Sequence, residues 1–571
     1  MLRALLLLAA CVAVASGARS SDRLRGAADD DADSLAPQTS PLFAEAGELW
    51  RPDGPLPDFS FAGYRFGDAE LPSPPATKRL ADFQGPGVSD SEALQAAVDW
   101  ANAQPESAGW VVLGLPAGQL TVDRQLNISR PQTVLRGEGA AATTLRLTRS
   151  LTDLKGPSNY SEGYWVYSGG LLTLAPPGNA PVMKELLAAV NASTPVPRGS
   201  YSLQVSSWGA PALRAGDIVT LVMHGGNGTL GDEIMNHKLD AGPLNANYTA
   251  RYTSRIASVS GNTVALERPL PWTLRKEMVP ALVRRKAPVY DVGLEGFTLQ
   301  FPYTPYLGHH KELGLNAIHL VATQDCWVRD VGIVNADNGI LIEESDRITI
   351  ANVTLDVTAP RNGPPEGSLG IRLQGDGHWG VRVARSCDVL GTGLHVKAQM
   401  VHSLGADDHG MFSVFEACRL ERNGSLEMHR ALSTQLLFTD ISIEDPCKSV
   451  RNGGPAAYGP NAGAYTTYWN VRSDTGSHPP PDHNGTPGYA PRDCTFGADL
   501  NFIGVAFNPP DELCPTYVHQ QAPVVPANLY RAQRARRQRM QAKSLPAGGS
   551  TQGPWSRLMQ ALKRAAFSWH A

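Results

Sequence analysis

In DFQGPGVSDSEALQAAVDWANAQPESAGWVVLGLPAGQLTVDRQLNI, residues 82–128, the hydrophobic period changes once, and that change decides the fold. Ser89 and Glu92 have capping-box spacing, and Leu94, Ala97, Val98 and Ala101 follow on one apolar helical face. Beyond Ala101 the runs WVVLGLPAG and QLTV are short, rich in Val and Leu, and bounded by Gly and Pro, which suits strands. A capped helix leading straight into short strands is what a coiled β-structure needs at its open end, where the first coil would otherwise expose apolar surface.

Further on, one apolar phrase returns. LEGFTL (294–299), VRDVGI (328–333) and IANVTL (350–355) superpose at offsets of 34 and 22 residues. VARSCDV (383–389) and VFEACRL (414–420) superpose at 31, and FTDISI (438–443) follows 23 residues after Phe415. Such a recurrence, interrupted by insertions of variable length, marks a solenoid whose loops leave one side. A second stack, AIHL (317–320), GILI (339–342) and GIRL (370–373), turns His319, Leu341 and Arg372 outward, about 4.8 Å apart per coil. The 31-residue offset places Asp376 over Asp407, His378 over His409 and Cys387 over Cys418, with Glu427, His429 and Arg430 one coil on. Together with Arg372, His402 and Asp408 these residues predict a charged groove. Taken singly, an Asp or His beside Gly reads as a turn residue; as a column, they repel unless a ligand or counter-charge lies among them.

The helix, the LPAG strand end (115–118) and VLRGEG (134–139) resemble the opening coils of the pectate-lyase-like superfamily, over roughly residues 59–511. The acidic turn usual in that superfamily is thinned here to GPGVSD. The resemblance implies an all-β chain folded as a right-handed parallel β-helix that handles acidic polysaccharide.

The first 18 residues have a basic start, an apolar run too short to span a bilayer and small residues at its end, the layout of a cleaved secretory signal. Secretion to the extracellular space or cell wall leaves six cysteines, Cys326, Cys387, Cys418, Cys447, Cys494 and Cys514, an even number that favours disulfides over a metal site. Cys494 with Cys514 would close a short loop. Sequons at Asn127, Asn159, Asn191, Asn227, Asn247, Asn352, Asn423 and Asn484 fit the same route. A net charge of -4 over 571 residues excludes a global field for nucleic acid, and no later segment is long and apolar enough for a transmembrane span.

The pattern divides the chain into a signal (1–18), a disordered, Asp-rich leader (19–57), the cap and first coils (58–193), a β-rich insertion (194–292), the main coils (293–520) and a basic, partly helical tail (521–571). The tail reads either as an attachment to membrane surface or anionic wall polymer, or as a loosely ordered end.

Three functions remain open. Uronate lysis, or epimerisation by the same first step, needs the substrate carboxylate neutralised and a base near the adjacent carbon. Arg372 or Arg430 would serve as clamp and His409 or His429 as base, with Asp376, His378, His402 and Glu427 contacting substrate and the carboxylates orienting histidines or holding a Ca²⁺. ADDHG (406–410) and NADNG (335–339) are similar to motifs of polygalacturonase-like glycosidases and would assign Asp407, Asp408 and His409 to inverting hydrolysis. In that family the Asp pair and His-Gly lie in separate segments, and an Arg-Ile-Lys, absent here, follows. The third reading is binding alone, with Trp379, Phe412, Tyr465, Tyr468 and Trp469 stacking on sugars. His309, His310, Lys311 and Glu312 form a polar insertion placed to overhang the groove or to remain a solvated loop.

Overall fold

The computed structural model describes residues 36–159, 162–208, 213–241, 248–363, 374–446, 449–454, 460–478, 496–508 and 516–543. Short parallel strands wind into a right-handed β-helix with two long sheets. The larger, of 16 strands, runs from Lys78–Arg79 to Thr516–Gln520. The smaller has eight strands in chain order: β1 (Leu126–Ile128), β2 (Leu172–Leu174), β3 (Asn316–Val321), β4 (Asn338–Glu343), β5 (Gly377–Ala384), β6 (Met400–Asp407), β7 (Leu426–His429) and β8 (Val450–Gly453). A third side is stitched by single bridges, Asp346 to Cys387, Cys387 to Met411 and Met411 to Thr434. Inward Val, Leu, Ile and Phe from successive coils fill one continuous core.

Helix α1 (Asp90–Ala103) carries the expected capping box, and Leu94 and Val98 bury against the first coils. Leu294 pairs with Val328, Val328 with Ile350, Val331 with Val353, and Phe415 with Phe438, as the offsets of 34, 22 and 23 require. The 31-residue offset is not a coil. Val383 pairs with Ala406, and Val414 with Leu390, so Asp376 does not lie over Asp407, nor Cys387 over Cys418. The excursion after Asp356 makes the coil from Ile340 to Val381 longer than its neighbours, and GVRV (380–383), not GIRL, is the third strand of the stack. GIRL, with Arg372, lies outside the described residues. The outward column therefore runs His319, Leu341, Arg382, Gly405, Glu427, Arg451.

The β-rich insertion closes as a six-stranded antiparallel barrel beginning earlier than expected, at Met183–Val190, and ending at Ala281–Lys286. Its core is continuous with Cys387, Met411, Phe412 and Leu432 of the coils. The described part of the leader, residues 36–57, is anchored and not disordered: Gln38–Thr39 pairs with Val524–Val525, and Phe43 and Trp50 bury beside Leu529 and Tyr530. Its apolar residues are too sparse for any period, which hides their anchoring from the sequence. The basic helix α2 (Leu529–Lys543) is docked, with Arg537 buried and donating to the carbonyls of Ser60 and Phe66. The signal, the remainder of the tail and Cys447, Cys494 and Cys514 lie outside the described residues; Cys326, Cys387 and Cys418 are buried free thiols. Among the described residues no helix is long and apolar enough to cross a membrane.

Candidate active site

The outer face of β3–β8 gathers an unusual number of ionisable side chains. Parallel pairing sets Asp407 of β6 beside His429 of β7, and Glu427, two residues before His429, projects from the same face. The Asp407 carboxylate accepts from Arg382 Nε at 2.7 Å, Arg430 Nε at 2.9 Å and His429 Nδ1 at 3.2 Å. Burial pushes this carboxyl up, but Arg382, His429 and Arg430 outweigh that and hold it well below the usual carboxylate range. His402, at the start of β6, lies against Glu427 through Nδ1, and Arg451 Nε is 3.6 Å from the same carboxylate. The Trp379 ring, wholly buried, lies 4.3 Å from the His402 ring between centroids, tilted by 32°.

A cap makes this a covered cluster, not the open groove expected. Residues 165–168 cross the face, held by Asn316 and Asn338 donating to the Trp165 carbonyl and by Arg382 donating to that of Tyr167. The 309–312 insertion does overhang. The Glu312 backbone carbonyl accepts from the Trp165 amide at 2.9 Å, and its side chain accepts from Tyr306 Oη at 2.6 Å. His309, His310, His378, His402 and His429 then form a run of rings, with neighbouring centroids 3.8 to 5.1 Å apart. His378 is fully buried, and neither ring nitrogen has a hydrogen-bond partner among the described residues; Nδ1 lies 3.4 Å from Glu312. Burial first, then the other histidines, drives its pKa well down. Burial also raises the Glu312 carboxyl to about 8, against the Tyr306 hydrogen bond that lowers it.

Tyr167 and His310 stand at the edge of the cap. Tyr167 Oη and His310 Nε2 are 2.6 Å apart, His310 is exposed, and the Tyr167 ring lies 5.3 Å from each of the Arg382 and Arg430 guanidinium carbons. Burial pushes the Tyr167 hydroxyl up to about 12, Arg430 opposing. It is therefore protonated at neutral pH.

Of the residues expected at the site, His378, His402, Asp407, Glu427, His429 and Arg430 come together. Asp408 and His409 are half-buried neighbours at a coil corner, both in left-handed backbone (φ 45° and 65°), with His409 Nδ1 3.0 Å from Asp408 and its ring 4.5 Å from Tyr248. Burial raises the Asp408 carboxyl, while His409 and Arg385 bring it below its usual value. Asp376 is a staple instead of a groove residue: its carboxylate accepts from the amides of Arg361 and Gln399 and from Arg422. Trp379, Phe412, Tyr468 and Trp469 are at most 1% exposed and pack the interior, so they offer no sugar platform. A Ca²⁺ ion does not fit, because it takes six to eight oxygens, whereas Asp407 is engaged by Arg382 and Arg430 and the donors around Glu427 are imidazoles. Of the sequons, Asn159, Asn191, Asn227 and Asn352 are exposed, Asn127 and Asn423 half-buried, and Asn247 and Asn484 outside the described residues.

Sequence reasoning missed Tyr167, Arg382, Arg451 and Glu343, whose carboxylate accepts from Arg382 Nη1 at 2.8 Å. Arg382 and Arg451 were recoverable from a strict 22–24-residue coil; Tyr167 lies in a loop without period.

No protein-family model matches the sequence, and no curated protein matches it. Among solved structures, the tailspike gp61 of Pseudomonas phage phi297 is 14% identical, over 70% of this chain and 62% of that one, with TM-score 0.38. The A-module of mannuronan C-5 epimerase AlgE4 from Azotobacter vinelandii is 13% identical, over 78% and 97%, with TM-score 0.31. Polygalacturonase from Erwinia carotovora ssp. carotovora is 9% identical, over 72% and 81%, with TM-score 0.38. The chain spans about three fifths of the phage tailspike's length. Likeness at this level concerns the winding of the coils alone.

Proposed function

We propose that the protein is a secreted enzyme acting on a uronic-acid-containing polysaccharide, as a lyase or a C5 epimerase. The observation that carries this reading is the Tyr167–His310 pair, placed at an exposed edge over Arg382 and Arg430. Abstraction of the proton beside a carboxylate requires that the carboxylate be neutralised and a base be at hand. Arg430 supplies the positive charge, His310 in its neutral form takes the proton, and Tyr167, protonated at neutral pH, donates to the leaving glycosidic oxygen or to the opposite face of the carbanion.

His429 is less suited to be the base, since it is sealed beneath the cap with Nδ1 on Asp407. Inverting hydrolysis would need one carboxyl of the Asp407–Asp408 pair protonated as the acid, and their cationic neighbours favour ionisation of both. The test is a panel of pectic, alginate-like and glucuronan-like polymers, followed by near-ultraviolet absorbance, reducing ends and C5 deuterium uptake from heavy water. Absorbance marks a lyase and deuterium without absorbance an epimerase. Reducing ends alone mark a hydrolase and overturn the reading, as does binding without turnover.

A further inference from the structure

His402, Glu427 and His429 each present a ligand atom, and the three atoms lie within 4.8 Å of one another. Their hydrogen bonding is incomplete in a particular way. His429 Nδ1 is taken by Asp407, itself fixed by Arg382 and Arg430, so that ring turns Nε2 toward Glu427. Nε2 lies 4.0 Å from Glu427 Oε1, a wholly buried oxygen without a hydrogen-bond partner among the described residues. Nε2 and the carboxylate oxygen thus face each other at a separation too long for a hydrogen bond. Gly453 flanks this oxygen, and a Cβ there would run into it. His402 approaches the other carboxylate oxygen through Nδ1, and among the described residues its Nε2 has no hydrogen-bond partner either. Arg451 Nε, 3.6 Å from Oε2, is the cation already nearby.

We infer that His402, Glu427 and His429 bind one divalent transition-metal ion, with zinc the best match. Two imidazoles and one carboxylate are a ligand set of catalytic zinc sites, and imidazole donors select zinc, copper, iron or nickel over calcium or magnesium. Asp407 on His429 Nδ1 is the outer carboxylate that such sites use to orient a ligating histidine. The ion would place positive charge between Nε2 and Oε1 and replace Arg451 as the main partner of Glu427. Bringing the three atoms to bonding distances of about 2.0–2.2 Å from one ion needs only a local contraction. The run of rings from exposed His310 through His309 and His378 to His402 offers the way in. The inference does not depend on polymer chemistry, since the metal is measured directly.

The full chain, stripped with chelator, is titrated with Zn²⁺ alone while bound metal is counted. One ion per chain and a rise in Tm with Zn²⁺ are expected. Glu427→Gln and His429→Ala should each weaken binding by more than the ~10–100-fold typical of losing a supporting contact, whereas His310→Ala should keep the ion. Should the ligand variants fail to fold, Co²⁺ in the wild-type chain gives a second readout, with visible bands of a four-coordinate nitrogen and oxygen site expected. Sub-stoichiometric zinc, the absence of those bands, zinc retained in Glu427→Gln, or zinc lost in His310→Ala would each overturn the assignment.

Discussion

Two buried polar regions of this molecule are built on opposite principles. Where the barrel meets the coils, permanent charges are matched: Arg268 Nη1 to Asp388 at 2.8 Å, Arg347 Nη2 to Asp325 at 2.8 Å, and Arg285 and Arg251 to Asp346. Beneath the cap, by contrast, five histidines crowd around Glu312, Asp407 and Glu427. Among the described residues both regions retain buried atoms without hydrogen-bond partners, Asp388 Oδ2 and Arg285 Nε at the joint and atoms of His378, His402 and Glu427 beneath the cap, so the difference lies in the imidazoles. At the joint each arginine has an aspartate partner, although burial lifts Asp388 to about 6. The capped cluster is built of imidazoles and of Glu312, raised to about 8, and it reaches solvent through His310. The joint thus behaves as scaffold, and the cluster as a place where a proton, a metal or a substrate is exchanged.

Turnover should separate the regions most. His310→Ala and Tyr167→Phe are each expected to lower kcat on the responsive polymer by on the order of a hundredfold. Because His310 is exposed, its loss should shift unfolding free energy by no more than about 0.5 kcal/mol. His409→Ala, at the neighbouring corner, should retain most of the rate. Equal losses in both histidine variants would erase the distinction between edge and corner.

The joint predicts the reverse phenotype. Arg268→Ala leaves Asp388 buried without its partner and should cost about 3–5 kcal/mol in denaturant unfolding at pH 8. Burial already outweighs Arg268 and lifts the Asp388 carboxyl to about 6. The carboxyl can therefore protonate, and the penalty should shrink at pH 5. A pH-independent penalty would mean that lost packing, not charge, explains the variant.

A smaller effect comes from Glu312. Its folded-state pKa of about 8 exceeds the ordinary carboxylate value, so the folded chain binds the extra proton between those limits. The associated stability is complete below the unfolded pKa and is lost as pH rises through about 8. Glu312→Gln should flatten that part of the Tm profile; an unchanged slope would assign the proton elsewhere. Smallest of all, Arg385→Ala at the coil corner, a partly exposed partner of Asp408 and Glu343, should cost less than about 1 kcal/mol.

The same contrast explains what could be read from the sequence. Capping box, helix face and the offsets of 34, 22 and 23 were legible because each rests on local period. The 31-residue match failed because VARSCDV begins in β5 of the smaller sheet whereas VFEACRL begins in a strand of the larger one, so two similar phrases on different sides of the winding mimic a register. His402, Asp407, Glu427 and His429 emerged as a cluster because His and acidic residues are rare beside coil strands. Their burial was invisible, since the cap is built from residues 165–168 and 309–312, and Tyr167 and His310 are 143 positions apart.

The central claim, that chemistry resides at the exposed Tyr167–His310 edge over Arg430, is tested most directly by deuterium uptake at C5 of a polyuronate, measured together with absorbance of unsaturated product. The wild-type chain should give one of these signals on at least one polymer, and His310→Ala should reduce it about a hundredfold while its Tm stays within a degree or two. A wild-type chain that binds the polymer and gives neither signal, or a His310→Ala chain as active as wild type, would contradict the account.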